Sequence, residues 1–127
     1  MSEPIVFISN QRIKQGKLDE YKQYYQQVAE LTEAKKPGTL AHLAYANDDG
    51  TNVSVIHLFP DADAMEAHMK GVGEIAKKAF EFMEIVSFEI YGRPSEHVLD
   101  GMKQIGPGVT LNVKSQPIGG YIRLRSG

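Results

Sequence analysis

The chemistry open to this chain rests mainly on its four histidines. Imidazole is the one side chain that exchanges a proton near neutral pH without a special environment. His57 sits in the run VSVIHLF, which reads as a strand, and His68 follows shortly after in DADAMEAHM. His68 stands three residues past Met65, with Met69 on the next turn, so the inward side of a short helix should carry a histidine among methionines. That is unusual for a pure core face and fits a pocket wall that takes flat ligands. Each histidine is equally readable as a core residue bonded to a backbone carbonyl.

His42 belongs to a third run, TLAHLAYA. The Asn47-Asp48-Asp49-Gly50 stretch between this run and NVSVIHLF is a hairpin signal. A two-residue turn at Asp49-Gly50 pairs Asp48 with Thr51 and, further along, sets His42 opposite His57. Two imidazoles with neither a carboxylate nor a third histidine beside them make a poor metal site, so no metal is expected. His97 lies near the start of a later helical segment and reads as solvated. The remaining candidates are Asn10 at the end of the first strand-like run, as an oxygen-orienting group, Phe59, Met65 and Met69 as a stacking wall, and Tyr91 and Arg93 for an anionic ligand.

The elements that must position these residues follow from periodicity. Residues 5–12 alternate as a strand, and Gly16 opens an amphipathic helix carrying Leu18, Tyr21, Tyr25, Val28 and Leu31, stopped by Pro37-Gly38. The hairpin comes next. Asp61 or Asp63 can cap the helix of His68, with Glu66 completing a capping box, and Gly71 and Gly73 interrupt it before a second helical piece and the strand IVSFEIYG. The order β-α-β-β-α-β is ferredoxin-like: an antiparallel sheet with helices on one face, residues 1–93. Residues 94–127 form an extension, with a helix in SEHVLDGMKQI and a strand in GGYIRLR, that must pack on this unit or on a partner because it is too poor in apolar residues for its own core.

Both faces of the predicted strands are apolar. Val86, Phe88 and Ile90 are backed by Ile85 and Tyr91, and Ala41, Leu43, Tyr45, Ile56 and Leu58 back the histidine face. Helices cover only one face in this topology, so a second copy of the chain should cover the other as a homodimer.

Composition narrows the function further. With 127 residues, 42% of them hydrophobic and 24% charged, the chain can bury one core. A net charge of −2 with interspersed signs offers no face for nucleic acid. No apolar run suggests a membrane span or a signal peptide, and the expected location is the cytoplasm. The absence of cysteine removes disulfides, thiolate metal sites and cysteine nucleophiles.

RIKQG followed by KLDEYKQYYQQVAEL, the Pro37-Gly38 lead into the second strand, and VIHLFPDADAMEAHM together resemble the antibiotic biosynthesis monooxygenase (ABM) family of dimeric α+β barrels, over roughly residues 4 to 92. The resemblance implies a pocket between sheet and helices and an oxygenase acting without cofactor on a small aromatic molecule of quinol or phenol type. In that chemistry His68 or His57 would be the base. The family also holds haem-degrading proteins and proteins with no established activity, so a ligand-binding or assembly role stands as the alternative. The chain departs from its relatives in having no tryptophan, which disfavours haem, and in carrying His57 where relatives often have glutamate.

Overall fold

Strict alternation organises the central strand, β1 (Ile5–Ile13): Ile5, Phe7, Ser9, Gln11 and Ile13 are buried, and the residues between them are half-buried or exposed. The computed structural model describes residues 3–106 and 108–123. After β1, Gly16 turns the chain at φ +76°, a backbone region that favours glycine, and α1 (Leu18–Lys35) runs back with Tyr21 and Thr32 buried. Asp19 and Glu20 in its first turn and Lys35 in its last complement the helix dipole.

β2 (Ala41–Ala46) and β3 (Asn52–Phe59) form the expected hairpin, and His42 pairs with His57. The turn itself differs. Gly50 N–H bonds to Asn47 O at 2.9 Å, closing the turn around Asp48 and Asp49 with Gly50 at φ +74°, and Asn47 N–H bonds to Asn52 O at 3.0 Å. Moving from a two-residue loop to a four-residue loop keeps the same residues opposite one another, so the register is unchanged.

α2 (Ala62–Met69) is capped by Asp61, whose carboxylate accepts from Ala64 N–H at 2.8 Å. Glu66 does not close a capping box but accepts from the Ser95 hydroxyl at 2.9 Å. Gly71, at φ +79°, separates α2 from α3 (Val72–Ala79). β4 (Met83–Tyr91) then pairs antiparallel with β1.

Unbroken alternation along β4 fails at one place. Asn10 pairs with Ser87 but Gln11 with Ile85, leaving Val86 as a bulge. The bulge puts Met83 and Ile85 on the same inward side as Phe88 and Ile90, and leaves Val86 exposed.

The extension adds α4 (Glu96–Lys103), capped by Ser95, and β5 (Thr110–Lys114), which pairs parallel to β4. The fifth strand is therefore not GGYIRLR: residues 119–123 have no regular structure, and 124–125 lie outside the described residues. The result is an α+β, ferredoxin-like subunit with an open, mixed five-stranded sheet in the order β2-β3-β1-β4-β5.

Two apolar clusters fill the space between sheet and helices. In one, Val98 and Met102 of the extension join Ile5, Phe7, Phe59, Met65, Phe88 and Ile90. In the other, Tyr21 and Ala79 meet Ile13, Val53, Val55, Phe82 and Met83. Gly38 lets the loop before β2 approach α2, since a Cβ there would stand 3.0 Å from the Ala64 side chain. Among the described residues no helix is long and apolar enough to cross a membrane.

Candidate active site

The hairpin register makes His42 and His57 direct cross-strand neighbours, with ring centroids 4.6 Å apart and planes crossing at 75°. α2 brings His68 onto the same spot, 5.2 Å from the His57 ring and 5.7 Å from that of His42. One nitrogen from each of the three rings lies within 4.8 Å of the other two. His57 and His68 are buried and His42 is half-buried.

Each ring is held through Nδ1. His57 Nδ1 lies 3.0 Å from Phe7 O, and a carbonyl only accepts, so Nδ1 carries the proton and Nε2 the lone pair. The Phe7 ring stacks on His57 at 4.6 Å and fixes its plane. His42 Nδ1 meets the Tyr25 hydroxyl at 2.7 Å, and His68 Nδ1 meets the Thr39 hydroxyl at 2.7 Å. Lys36 ties the end of α1 to the end of α2, donating to Ala67 O at 2.9 Å and Lys70 O at 3.1 Å.

Burial keeps all three imidazoles neutral. It pushes the His57 pKa down to about 3, helped by His42 and His68 and opposed by the bond to Phe7 O. It lowers His68 to about 4, with further contributions from His42 and Lys36, and lowers His42 as well. The phenols nearby stay protonated, because burial raises Tyr24 and Tyr25 to about 12.

The trio borders a cavity of about 180 Å³ between α1 and the sheet, whose wall is largely apolar and includes Phe7, Phe88, Val55, Met69, Ile85 and Met83. Ile105, just past α4, also contributes to this wall, so the extension helps enclose the cavity. Away from the histidines the wall carries a buried polar chain: Tyr21 Oη donates to Gln11 Oε1 at 2.6 Å, and Gln11 Nε2 donates to Ser9 Oγ at 3.0 Å. Tyr24 donates to Ile75 O, anchoring α1 to α3. A second, surface cleft of about 260 Å³ shares His42 and Thr32 with the first and is lined by Glu30, Glu33 and Thr39.

The structure gathers some of the residues singled out in the sequence and separates others. His42, His57, His68 and Met69 line one cavity. Phe59 and Met65 are fully buried behind it, with the Phe59 ring 5.2 Å from His68. Asn10 does not reach it. Alternation along β1 turns Asn10 to the opposite sheet face, where it donates to Glu89 at 2.7 Å and Ser87 at 3.0 Å and accepts from Ser54 at 2.6 Å, so an oxygen-orienting role for it has no geometric basis. Tyr91 lies on that outer face too, donating to Glu89 at 2.8 Å. Arg93 pairs with Glu3 at 2.9 Å on the surface and is exposed, as is His97. The site residues missed in the sequence are Tyr25, Thr39 and the Ser9-Gln11-Tyr21 chain. The signal for the tyrosines was present in the spacing Tyr21, Tyr25, Val28, Thr32, one stripe of α1; Ser9 and Gln11 share the parity of Phe7 on β1.

Among solved structures, the chain is similar to MupZ from Pseudomonas fluorescens, at 23% identity over 94% of this chain and 91% of that one, with a TM-score of 0.74. It is also similar to SnoaB, a cofactor-independent oxygenase from Streptomyces nogalater, at 15% identity over 74% and 96% with a TM-score of 0.61. A conserved protein from Methanosarcina mazei shares 18% identity over 72% and 93%, with a TM-score of 0.60. The wider coverage by MupZ takes in part of the C-terminal extension. No curated protein matches the sequence. The model of the antibiotic biosynthesis monooxygenase family matches residues 4–80, more than half of the chain, and the protein belongs to that family.

Proposed function

We propose that this protein is a monooxygenase that acts without a cofactor on a small hydroxylated aromatic molecule, bound in the cavity beside His57. The observation that carries this reading is the fixed tautomer of His57: Phe7 O holds the proton on Nδ1, so the nitrogen left for a substrate hydroxyl is an acceptor. The cavity volume sets the size class. About 180 Å³ is close to the volume that holds a benzene-sized guest, so a single substituted ring fits best and a larger skeleton requires displacement of side chains such as Met69 or Ile105.

The reaction balances without an outside reductant. A phenol and dioxygen give a quinone and water: one oxygen atom enters the ring, the other leaves as water, and the substrate supplies the electrons. Deprotonation makes the ring electron-rich enough to reduce dioxygen. Transfer from a phenol raised to about 12 by the same burial that raises Tyr25, to an imidazole at about 3, is uphill by roughly 12 kcal/mol. An adjacent phenolate–imidazolium pair recovers roughly 4 kcal/mol at an effective dielectric near 20. The remainder fits within the barrier of about 16 kcal/mol that corresponds to a turnover near 10 per second.

The outer sheet face, with Leu43 and Tyr45 exposed beside Ile8, Ile56 and Leu58, is covered in this proposal by a second copy of the chain. The activity is tested by oxygen uptake with hydroquinones and hydroxynaphthalenes in the presence of a chelator. Uptake above the buffer rate that disappears in His57→Ala supports the reading; the buffer rate for every substrate rejects it in favour of a ligand-binding role.

A further inference from the structure

We propose that His42, His57 and His68 form a binding site for one divalent transition-metal ion of the zinc or cobalt type, with its fourth position open to the cavity. The ligand set is sufficient. Three neutral imidazoles from β2, β3 and α2 converge with one nitrogen each inside 4.8 Å. Three imidazoles around a tetrahedral ion, at bond lengths of about 2.0 to 2.1 Å, have nitrogens about 3.3 Å apart. Binding therefore draws the most widely spaced of these nitrogens up to about 1.5 Å closer together.

The second argument is the way the rings are held. Ligating histidines commonly direct the other ring nitrogen to a carbonyl, carboxylate or hydroxyl that sets the tautomer and the ring plane. Here all three do so through Nδ1: His57 to Phe7 O, His42 to Tyr25 and His68 to Thr39. The bond to Phe7 O leaves the Nε2 lone pair of His57 free for a cation, and Tyr25 and Thr39 do the same for His42 and His68 when their hydroxyls accept from Nδ1–H. The anchors come from β1, α1 and the loop before β2, so the trio is set by three different parts of the chain.

The third argument is the choice of ion and its route. The site has no carboxylate and no thiolate, which disfavours magnesium and calcium and suits ions that accept imidazole. With three neutral ligands the ion keeps its full positive charge, and an anionic donor, hydroxide or the deprotonated oxygen of a ligand, completes the tetrahedron from the cavity side. The surface cleft that shares His42 with the cavity is lined by Glu30 and Glu33, giving a cation an acidic approach. The proposal does not rest on the oxygenase reading, because it is read without substrate, whereas turnover is read in chelator.

The test is a titration of the chelator-treated full chain with Co²⁺ alone, following the visible absorption bands that distinguish four-coordinate from aqueous cobalt, and then displacement by Zn²⁺. The expected result is one Co²⁺ per chain in the wild type and in His97→Ala. His42→Ala, His57→Ala and His68→Ala should each weaken binding more than about 100-fold, and Thr39→Val, which removes only an anchoring hydroxyl, about 10-fold. Circular dichroism checks that each variant is folded, and if His57→Ala is not, the wild type, His42→Ala and Thr39→Val still decide. Absence of the bands in the wild type overturns the proposal, as does binding that survives loss of His42 and His68 or is abolished by His97→Ala.

Discussion

The two faces of one sheet behave as different environments, although they are built from alternate residues of the same strands. The inward face of β1 and β3 carries Phe7, Ser9, Gln11, Val55 and His57, all buried beneath helices. The outward face carries Asn10, Ser54, Ser87, Glu89 and Tyr91 in one half-buried hydrogen-bonded group, with exposed Leu43 and Tyr45 to one side. Inside, titratable groups are desolvated and held neutral. Outside, Glu89 is kept ionised, its pKa lowered first by the bond from Asn10 and then by that from Tyr91. A polar group buried among apolar residues is poised for a ligand, whereas one in a half-open network is poised for water or for another copy of the sheet.

Substitutions on opposite faces should break the comparison most sharply at the level of turnover. Removing a general base commonly costs about 100- to 10,000-fold, so His57→Ala should lose at least about 100-fold in oxygen uptake. Asn10→Ala, one residue-parity away, should retain the wild-type rate within about threefold.

Stability against pH separates the faces next. His57 and His68 have folded-state pKa values below the ordinary 6.5, so below pH 6.5 the unfolded chain takes up protons that the folded chain refuses. Their contribution is complete above pH 6.5 and is lost as pH falls toward 4 and then 3. Between pH 7 and pH 5 the two together should cost about 3 to 4 kcal/mol, visible as a lower urea midpoint. His57→Phe, which keeps the ring stack and removes the titration, should flatten roughly half of that slope. Glu89 and Glu84 also favour the folded state through lowered pKa values, but their effect is lost only below about pH 4.5.

A smaller effect is expected from the polar chain of the cavity. Tyr21→Phe leaves Gln11 Oε1 without its donor in a buried position and should cost about 1 to 2 kcal/mol in chemical denaturation. Tyr91→Phe, on the outer face, removes a bond to an ionised but more accessible carboxylate and should cost less than Tyr21→Phe. The least effect on the cavity is predicted for Leu43→Glu with Tyr45→Glu, which should convert dimers to monomers in sedimentation while leaving the fold intact. A wild type that sediments as a stable monomer at micromolar concentration would remove the proposed dimer.

The extent to which these features were legible in the sequence follows from which interactions are local. The His42–His57 pair could be read because the register of a hairpin depends on a few residues of turn and on alternation. It persisted even though the turn closed one residue earlier than Asp49-Gly50 suggests. His68 could be placed on the inward side of its helix, but not within reach of His42, since that depends on how α2 packs against the sheet. That packing is fixed at a distance, by Gly38 against Ala64 and by Lys36 on the end of α2. The Val86 bulge was hidden because Ile85, Val86 and Phe88 are all apolar, so the pattern shows no break. The fifth strand was hidden for the opposite reason. Thr110–Lys114 is a largely exposed edge strand with weak alternation, and YIRLR alternates better without pairing among the described residues. Asn10 was misplaced for lack of one fact, the parity of β1 relative to the helices, which a single buried neighbour such as Phe7 decides.

The central claim, that function resides on the inward face at the histidine trio, is tested most directly by oxygen uptake with a single-ring hydroquinone by wild type, His57→Ala and Asn10→Ala, side by side in chelator. The account predicts substrate-dependent uptake in the wild type and Asn10→Ala and a loss of at least about 100-fold in His57→Ala. Uptake that persists in His57→Ala and disappears in a folded Asn10→Ala would place the chemistry on the outer face and contradict it.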